Sequence, residues 1–227
     1  MLKVIGIIGF IILIDIHCNR RIDDKTISHE NNPSLNSYYF NLFMNGTSDT
    51  RRKVYYRNFA TYEVITSFMN NNYLTTITID STKKNFVKKI KGTLLNNLYG
   101  HYFEFYDNGN INKYYYYTGK GSVYDYGRTY AEDGSLIKEE GNPFVDQICN
   151  GDSCKLFFST VFYSNITVQV STDEGVSYPL SLRQSNFQPL LYETEIATND
   201  AELLLNLVCH NKDKDETIVF QDTLRLK

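Results

Sequence analysis

Tryptophan is absent from the 227 residues, and proline, cysteine and histidine number only four each. Two of the histidines, His17 and His29, fall near the N-terminus, which leaves too few for a histidine-rich metal centre. Charge of one sign is missing as well: 23 Lys plus Arg against 26 Asp plus Glu give a net charge of −3. A nucleic-acid partner is therefore not expected, because phosphate backbones select a basic excess. No apolar run reaches the length of about 20 residues that a membrane-spanning helix needs. The chain also lacks a Gly-x-Ser-x-Gly elbow, a P-loop and a His-Glu-x-x-His pair, so it reads as non-enzymatic, with no catalytic residue, metal or cofactor. What it does contain is 19 Tyr and 14 Phe in a composition that is 42% hydrophobic. Such side chains suit a half-buried pleated surface and predict an all-β chain.

Residues 1–18 open with Met1-Leu2-Lys3, continue through the apolar run from Val4 to Ile14 and close on Asp15-Ile16-His17-Cys18. One basic residue before eleven uncharged ones has the length of a secretory signal. Cys18, directly after that run, resembles the lipid-modified cysteine of bacterial lipoproteins. Asp15 and His17 stand where those signals carry an aliphatic and a small residue. The resemblance implies lipidation at Cys18, a membrane as partner through the acyl chains and a place in the bacterial cell envelope. Residues 19–37 are polar, mixed in charge and without hydrophobic period, and predict a flexible tether.

From residue 38 to 145 short aromatic and β-branched runs alternate with turn-formers, predicting an antiparallel meander. Tyr38 to Met44, Arg51 to Asn58 and Leu74 to Asp80 read as strands, the last with Ile77 and Ile79 on its inward face. Thr61 to Met69 and Lys83 to Lys91 fit strand or helix equally well. Within this stretch one pattern occurs twice: Gly100-His101-Tyr102-Phe103-Glu104-Phe105-Tyr106-Asp107-Asn108-Gly109-Asn110-Ile111 is echoed by Gly127-Arg128-Thr129-Tyr130-Ala131-Glu132-Asp133-Gly134-Ser135-Leu136-Ile137. Each copy predicts a hairpin whose Asn-Gly or Asp-Gly turn supplies the positive φ. Over about residues 100–141 the chain resembles the MORN-repeat variant, with nine positions from Gly100 to Gly109 and seven from Gly127 to Gly134. That resemblance implies an open β-meander serving as scaffold or protein-contact surface.

Residues 146–227 carry further strand-like runs, at Lys155 to Tyr163, Ile166 to Ser171, Val176 to Leu182, Leu190 to Ala197, Glu202 to His210 and Thr217 to Leu226. Their spacing predicts a small β-sandwich, immunoglobulin-like in architecture. Cys149 and Cys154 bracket an Asn-Gly-Asp turn and are expected to form a disulfide across a hairpin, as an oxidising compartment permits. The rival set of Cys149, Cys154, Cys209 and His210 around zinc fits no familiar finger spacing, so Cys209 is expected as a buried free thiol.

The densest aromatic patch runs from Tyr114 through Tyr115, Tyr116 and Tyr117 to Tyr124 and Tyr126. Tyrosine offers rigid contact area compatible with water, which makes these six the expected binding surface, for another envelope protein or for a glycan. His101 is expected as a surface strand histidine, the pairs Glu132-Asp133 and Glu139-Glu140 as solvated, and Lys212 to Glu216 as a solvated hairpin loop.

Overall fold

The computed structural model describes residues 35–45, 51–57, 60–68, 73–83, 86–118, 124–150, 152–171, 177–185, 188, 190–197 and 202–225. Cys18, the signal reading of 1–18 and positions 19–34 of the expected tether lie outside them. The described chain is all-β and antiparallel apart from one helix and a short 3-10 turn. That helix, α1 (Leu35–Asn45), corrects two expectations, because it takes up the end of the tether and replaces the strand read from Tyr38 to Met44. A run of apolar residues broken only by Asn41 does not separate a period of 2 from one of 3.6. Tertiary contact decides: Tyr39 and Phe43, four residues apart on one helix face, are buried, with ring centroids 4.5 and 6.1 Å from Phe103.

Eight strands follow in sequence order as one open sheet: β1 (Arg51–Tyr56), β2 (Thr61–Phe68), β3 (Tyr73–Asp80), β4 (Phe86–Leu94), β5 (Asn97–Phe105), β6 (Ile111–Tyr117), β7 (Tyr126–Tyr130) and β8 (Leu136–Gly141). Pairing on both sides makes strands of the two ambiguous segments, now β2 and β4. The β5–β6 and β7–β8 hairpins close in the same way. Tyr106 N donates to Asn110 O and Gly109 N to Tyr106 O; Ala131 N donates to Ser135 O and Gly134 N to Ala131 O. Gly109 and Gly134 sit at φ of 90° and 87°, a region that disfavours any side chain with a Cβ. The turns also stack, since Asn108 and Asn110 both donate through Nδ2 to the Glu132 carbonyl. Counting back from these matched turns sets Tyr102, not Gly100, equivalent to Gly127, which corrects the glycine-to-glycine alignment of the two copies.

The remaining strands form two four-stranded sheets. One has the order β13 (Arg183–Gln184), β14 (Leu191–Ala197), β10 (Ser153–Ser159), β9 (Val145–Asn150); the other β12 (Ser177–Pro179), β11 (Tyr163–Ser171), β15 (Glu202–Asn211), β16 (Glu216–Arg225). Leu156 and Phe158 of the first sheet share a core with Val168, Val170 and Leu205 of the second, all without exposed surface. Each such side chain contributes about 1.5–3 kcal/mol of burial. Cys149 and Cys154 are directly opposite on β9 and β10, 4.0 Å apart at Cα, and are joined by a disulfide. Cys209 is a buried free thiol whose pKa burial pushes up to about 11.

The sandwich closes over the inner face of the meander. Phe157, Val161, Phe162, Leu190 and Leu191 belong to the same apolar cluster as Ile77, Ile90 and Phe103. In the turn between β10 and β11, Phe162 adopts a φ of 65°, which a side chain of this bulk takes up only when its surroundings hold it there. Its ring is fixed between Tyr114, at 5.2 Å, and the guanidinium of Arg128, at 4.1 Å.

Candidate binding face on the outer side of the meander

Alternation along β6 divides the predicted tyrosine surface. Tyr114 and Tyr116 point inward and are completely buried, Tyr126 is 1% exposed, and Tyr117, although on the outer side, is 8% exposed. These four are removed from the expected binding surface. For the three at inward parity the reason is that α1 and the sandwich together cover the inner face, while Tyr117 is covered by its outer-face neighbours Tyr102, Tyr115 and Tyr124. Tyr115 and Tyr124 remain half-exposed on the outer face.

There a single cross-strand row runs Lys91, Tyr102, Tyr115, Gly127, Glu140 from β4 to β8. Tyr115 stacks on Tyr124 with centroids 4.2 Å apart and planes 14° from parallel, and on Tyr102 at 5.9 Å. Gly127 makes that stack possible. A Cβ there would come within 2.6 Å of Cδ1 of Tyr115 and 2.8 Å of Cε2 of Tyr124. Tyr117 closes the group edge-on to Tyr102, Tyr115 and Tyr124.

Carboxylates and lysines frame the rings. The Tyr102 hydroxyl donates to Glu104 and the Tyr124 hydroxyl to Glu140. Lys89 lies 5.5 Å over the Tyr102 ring and 3.2 Å from Glu104, Lys113 is 3.3 Å from the same carboxylate, and Lys138 pairs with Glu140. The bond to Glu140, together with partial burial, pushes the Tyr124 phenol up to about 12. Burial works against the Glu104 carboxylate, but the Tyr102 hydroxyl and the two lysines more than offset it and hold its pKa down. The Tyr102 and Tyr124 phenols therefore stay neutral and the Glu104 and Glu140 carboxylates ionised at neutral pH. Chemically the patch can stack a flat group and exchange hydrogen bonds at its rim.

The inner face holds a residue that sequence reasoning passed over. Arg128 is directly opposite Glu139 and has no exposed side-chain surface. Its Nη2 lies 2.9 Å from Glu139 Oε1 and its Nη1 2.6 Å from Asp213 Oδ2, while Nε donates to the Tyr126 hydroxyl at 2.7 Å. Lys214 pairs with the other Glu139 oxygen. Burial opposes ionisation of Glu139, but its bonds from Lys214, Tyr126 and Arg128 hold the carboxylate down at about 2. The loop Lys212 to Glu216 is the exposed hairpin tip expected, and two of its residues, Asp213 and Lys214, also reach back to clamp Arg128 and Glu139; Glu139, expected as solvated, is instead mostly buried. A signal was present in the sequence: a cation flanked at i±2 by Tyr126 and Tyr130 has inward parity and must find an anion.

His101 is also corrected, from surface to core. It is 1% exposed, packed by Phe43, Phe103 and Tyr116, with Nδ1 3.1 Å from the Tyr114 hydroxyl. Burial lowers its pKa to about 3, so it is a neutral packing residue. Glu132 and Asp133 lie exposed in the β7–β8 turn. No family model, no curated protein and no solved structure matches the chain.

Proposed function

We propose that this chain is an exported, lipid-anchored bacterial envelope protein that acts as a non-enzymatic protein-binding or scaffold component. The observation that carries the reading is the half-exposed stack of Tyr115 and Tyr124 over the bare Cα of Gly127, on the one face of the meander that neither α1 nor the sandwich covers. Rigid aromatic area framed by lysines and carboxylates is the composition of a protein-contact hot spot and its polar rim. The hairpins with matched turns act as MORN-like units of the sheet, and the two-sheet half is an immunoglobulin-like stand. Lipid at Cys18 holds the body on the membrane, and the Cys149–Cys154 bridge suits an oxidising compartment outside the cytosol.

The test is capture from envelope extracts with the native chain and with the Tyr115→Ser/Tyr124→Ser variant, alongside metabolic acyl labelling of native and Cys18→Ala chains. Partners bound by the native chain and lost with the variant, and label lost with Cys18→Ala, are expected. An identical partner set for both chains overturns the binding face, and an unlabelled native chain overturns the anchor. A second reading, glycan binding, rests on the same stacked rings, which match the apolar face of a sugar. It predicts a change of tyrosine fluorescence on titration with soluble glycans that the serine variant does not show.

A further inference from the structure

The second sandwich sheet also has an outer face, and its chemistry is unlike that of every other face described. Its two central cross-strand rows are Thr167–Val208–Val219 and Gln169–Asn206–Gln221. The flanking rows are Asn165–His210–Thr217 and Ser171–Leu204–Thr223. None of these positions is Asp, Glu, Lys or Arg, in a chain that is 22% charged. Exposure is substantial, with Val219 at 66%, Leu204 at 41% and Val208 at 40%. The charges of β15 and β16 lie elsewhere: the paired Glu202 and Arg225 and, at the other end, Glu216 stand at strand ends, and Asp222 shares the inward parity of Leu224. By contrast, the outer side of the other sandwich sheet carries the Glu193 carboxylate with Lys155 and Arg183, and the outer side of the meander carries Lys89, Glu104 and Lys113.

An exposed apolar centre without charge, bounded by charged strand ends, is the composition that distinguishes the core of a protein interface. We infer that this face is an interface with a second copy of the chain. The occupant follows from hydrogen-bonding capacity. Lysine and arginine only donate and carboxylates only accept, so a charged face can be buried only where its partner sets an opposite charge against each group. Amides and hydroxyls do both. A face made of Asn, Gln and Thr around Val208 and Val219 is therefore complementary to itself, and pairing its two central rows across a two-fold axis desolvates no carboxylate, ammonium or guanidinium. Gln221 Nε2 already donates to Asn206 Oδ1 at 2.7 Å within one copy, showing amides of this row at bonding distance.

Sedimentation velocity of the full chain over a wide concentration range tests the inference. The native chain is expected to sediment as two chains in reversible equilibrium with one. In Val208→Lys/Val219→Lys, four lysines would meet across the axis, weakening association by about a hundredfold or more. Both valines are exposed, so an unchanged circular-dichroism spectrum is expected of the variant. As a control, Glu132→Lys in the exposed β7–β8 turn should leave the association constant where it was. A native chain that stays single at every concentration overturns the inference, whether or not it binds a neutral glycan or another protein. So does a pair that survives the double lysine substitution in a folded variant.

Discussion

Tyr114 and Tyr116 differ from Tyr115 and Tyr117 by a single step along β6, yet the sheet places the two pairs in opposite environments. On the inner face, Tyr114 lies between Phe103, Phe162 and His101, and Tyr116 donates to the buried carboxylate of Asp146 at 3.2 Å while stacking 3.6 Å from Phe144. On the outer face, Tyr115 meets other tyrosines and half-exposed charge. The inner face spends its polar groups on joining meander to sandwich; the outer face leaves them within reach of a partner. The lesson is that aromatic density in a strand marks a binding surface only at every second residue, and which half is available depends on what covers the other face.

The comparison breaks most severely at Arg128. Substituting Arg128→Ala empties the place of a fully buried side chain and takes the central cation from Glu139, 16% exposed, and from Asp213, 44% exposed and free to return to water, a loss of about 2–4 kcal/mol. Chemical denaturation should show that loss as a lower midpoint. A loss below about 1 kcal/mol would mean that apolar contacts such as those of Phe162 join the halves unaided. Next in size is acid sensitivity. His101 takes up a proton near 6.5 when unfolded but only near 3 when folded, so the unfolded chain binds more protons between those values. Stability is complete above 6.5 and falls as pH drops towards 3, by roughly 1.4 kcal/mol per pH unit at most. Glu139, held at about 2 in the fold, adds to the loss in the same direction once pH falls below its ordinary 4.5. In His101→Gln the slope between pH 6.5 and 4.5 should flatten, as unfolding free energies across that window would reveal. An unaltered slope would assign the effect elsewhere.

Strand alternation was legible in the sequence wherever polar and apolar residues took turns. Leu74 to Asp80 and Ile166 to Ser171 showed their faces directly, and the Asn-Gly and Asp-Gly turns marked two hairpins. Three features were not legible for a shared reason: they depend on what lies across the chain. Leu35–Asn45 became a helix because Tyr39 and Phe43 found Phe103 some sixty residues away. Arg128 required Asp213, 85 residues downstream, before it could be read as a clamp rather than a surface cation. The tyrosine patch could be split into two faces from parity alone, but only the packing of α1 and Phe162 says which face is closed. Gly127 shows the limit from the other side, since its place in a Gly-spaced pattern was visible while its reason, room for two rings, was not.

The finest test of the two faces deletes one oxygen from each. Tyr116→Phe removes a donor from Asp146, a carboxylate 3% exposed, and burying a less satisfied charge should cost about 1–3 kcal/mol. Tyr124→Phe removes the donor to Glu140, whose side chain is 39% exposed and already paired with Lys138, so water replaces the lost bond and about 0.5 kcal/mol or less is expected. Both variants keep their rings, and with them the stacking on Phe144 and on Tyr115, so each difference isolates a hydroxyl in its surroundings. Parallel denaturation curves should therefore separate two identical atomic deletions by a factor of two or more in free energy. Equal losses would mean that the outer hydroxyl is as structural as the inner one. The tyrosine stack would then belong to the fold, and the proposed binding face would lose its support.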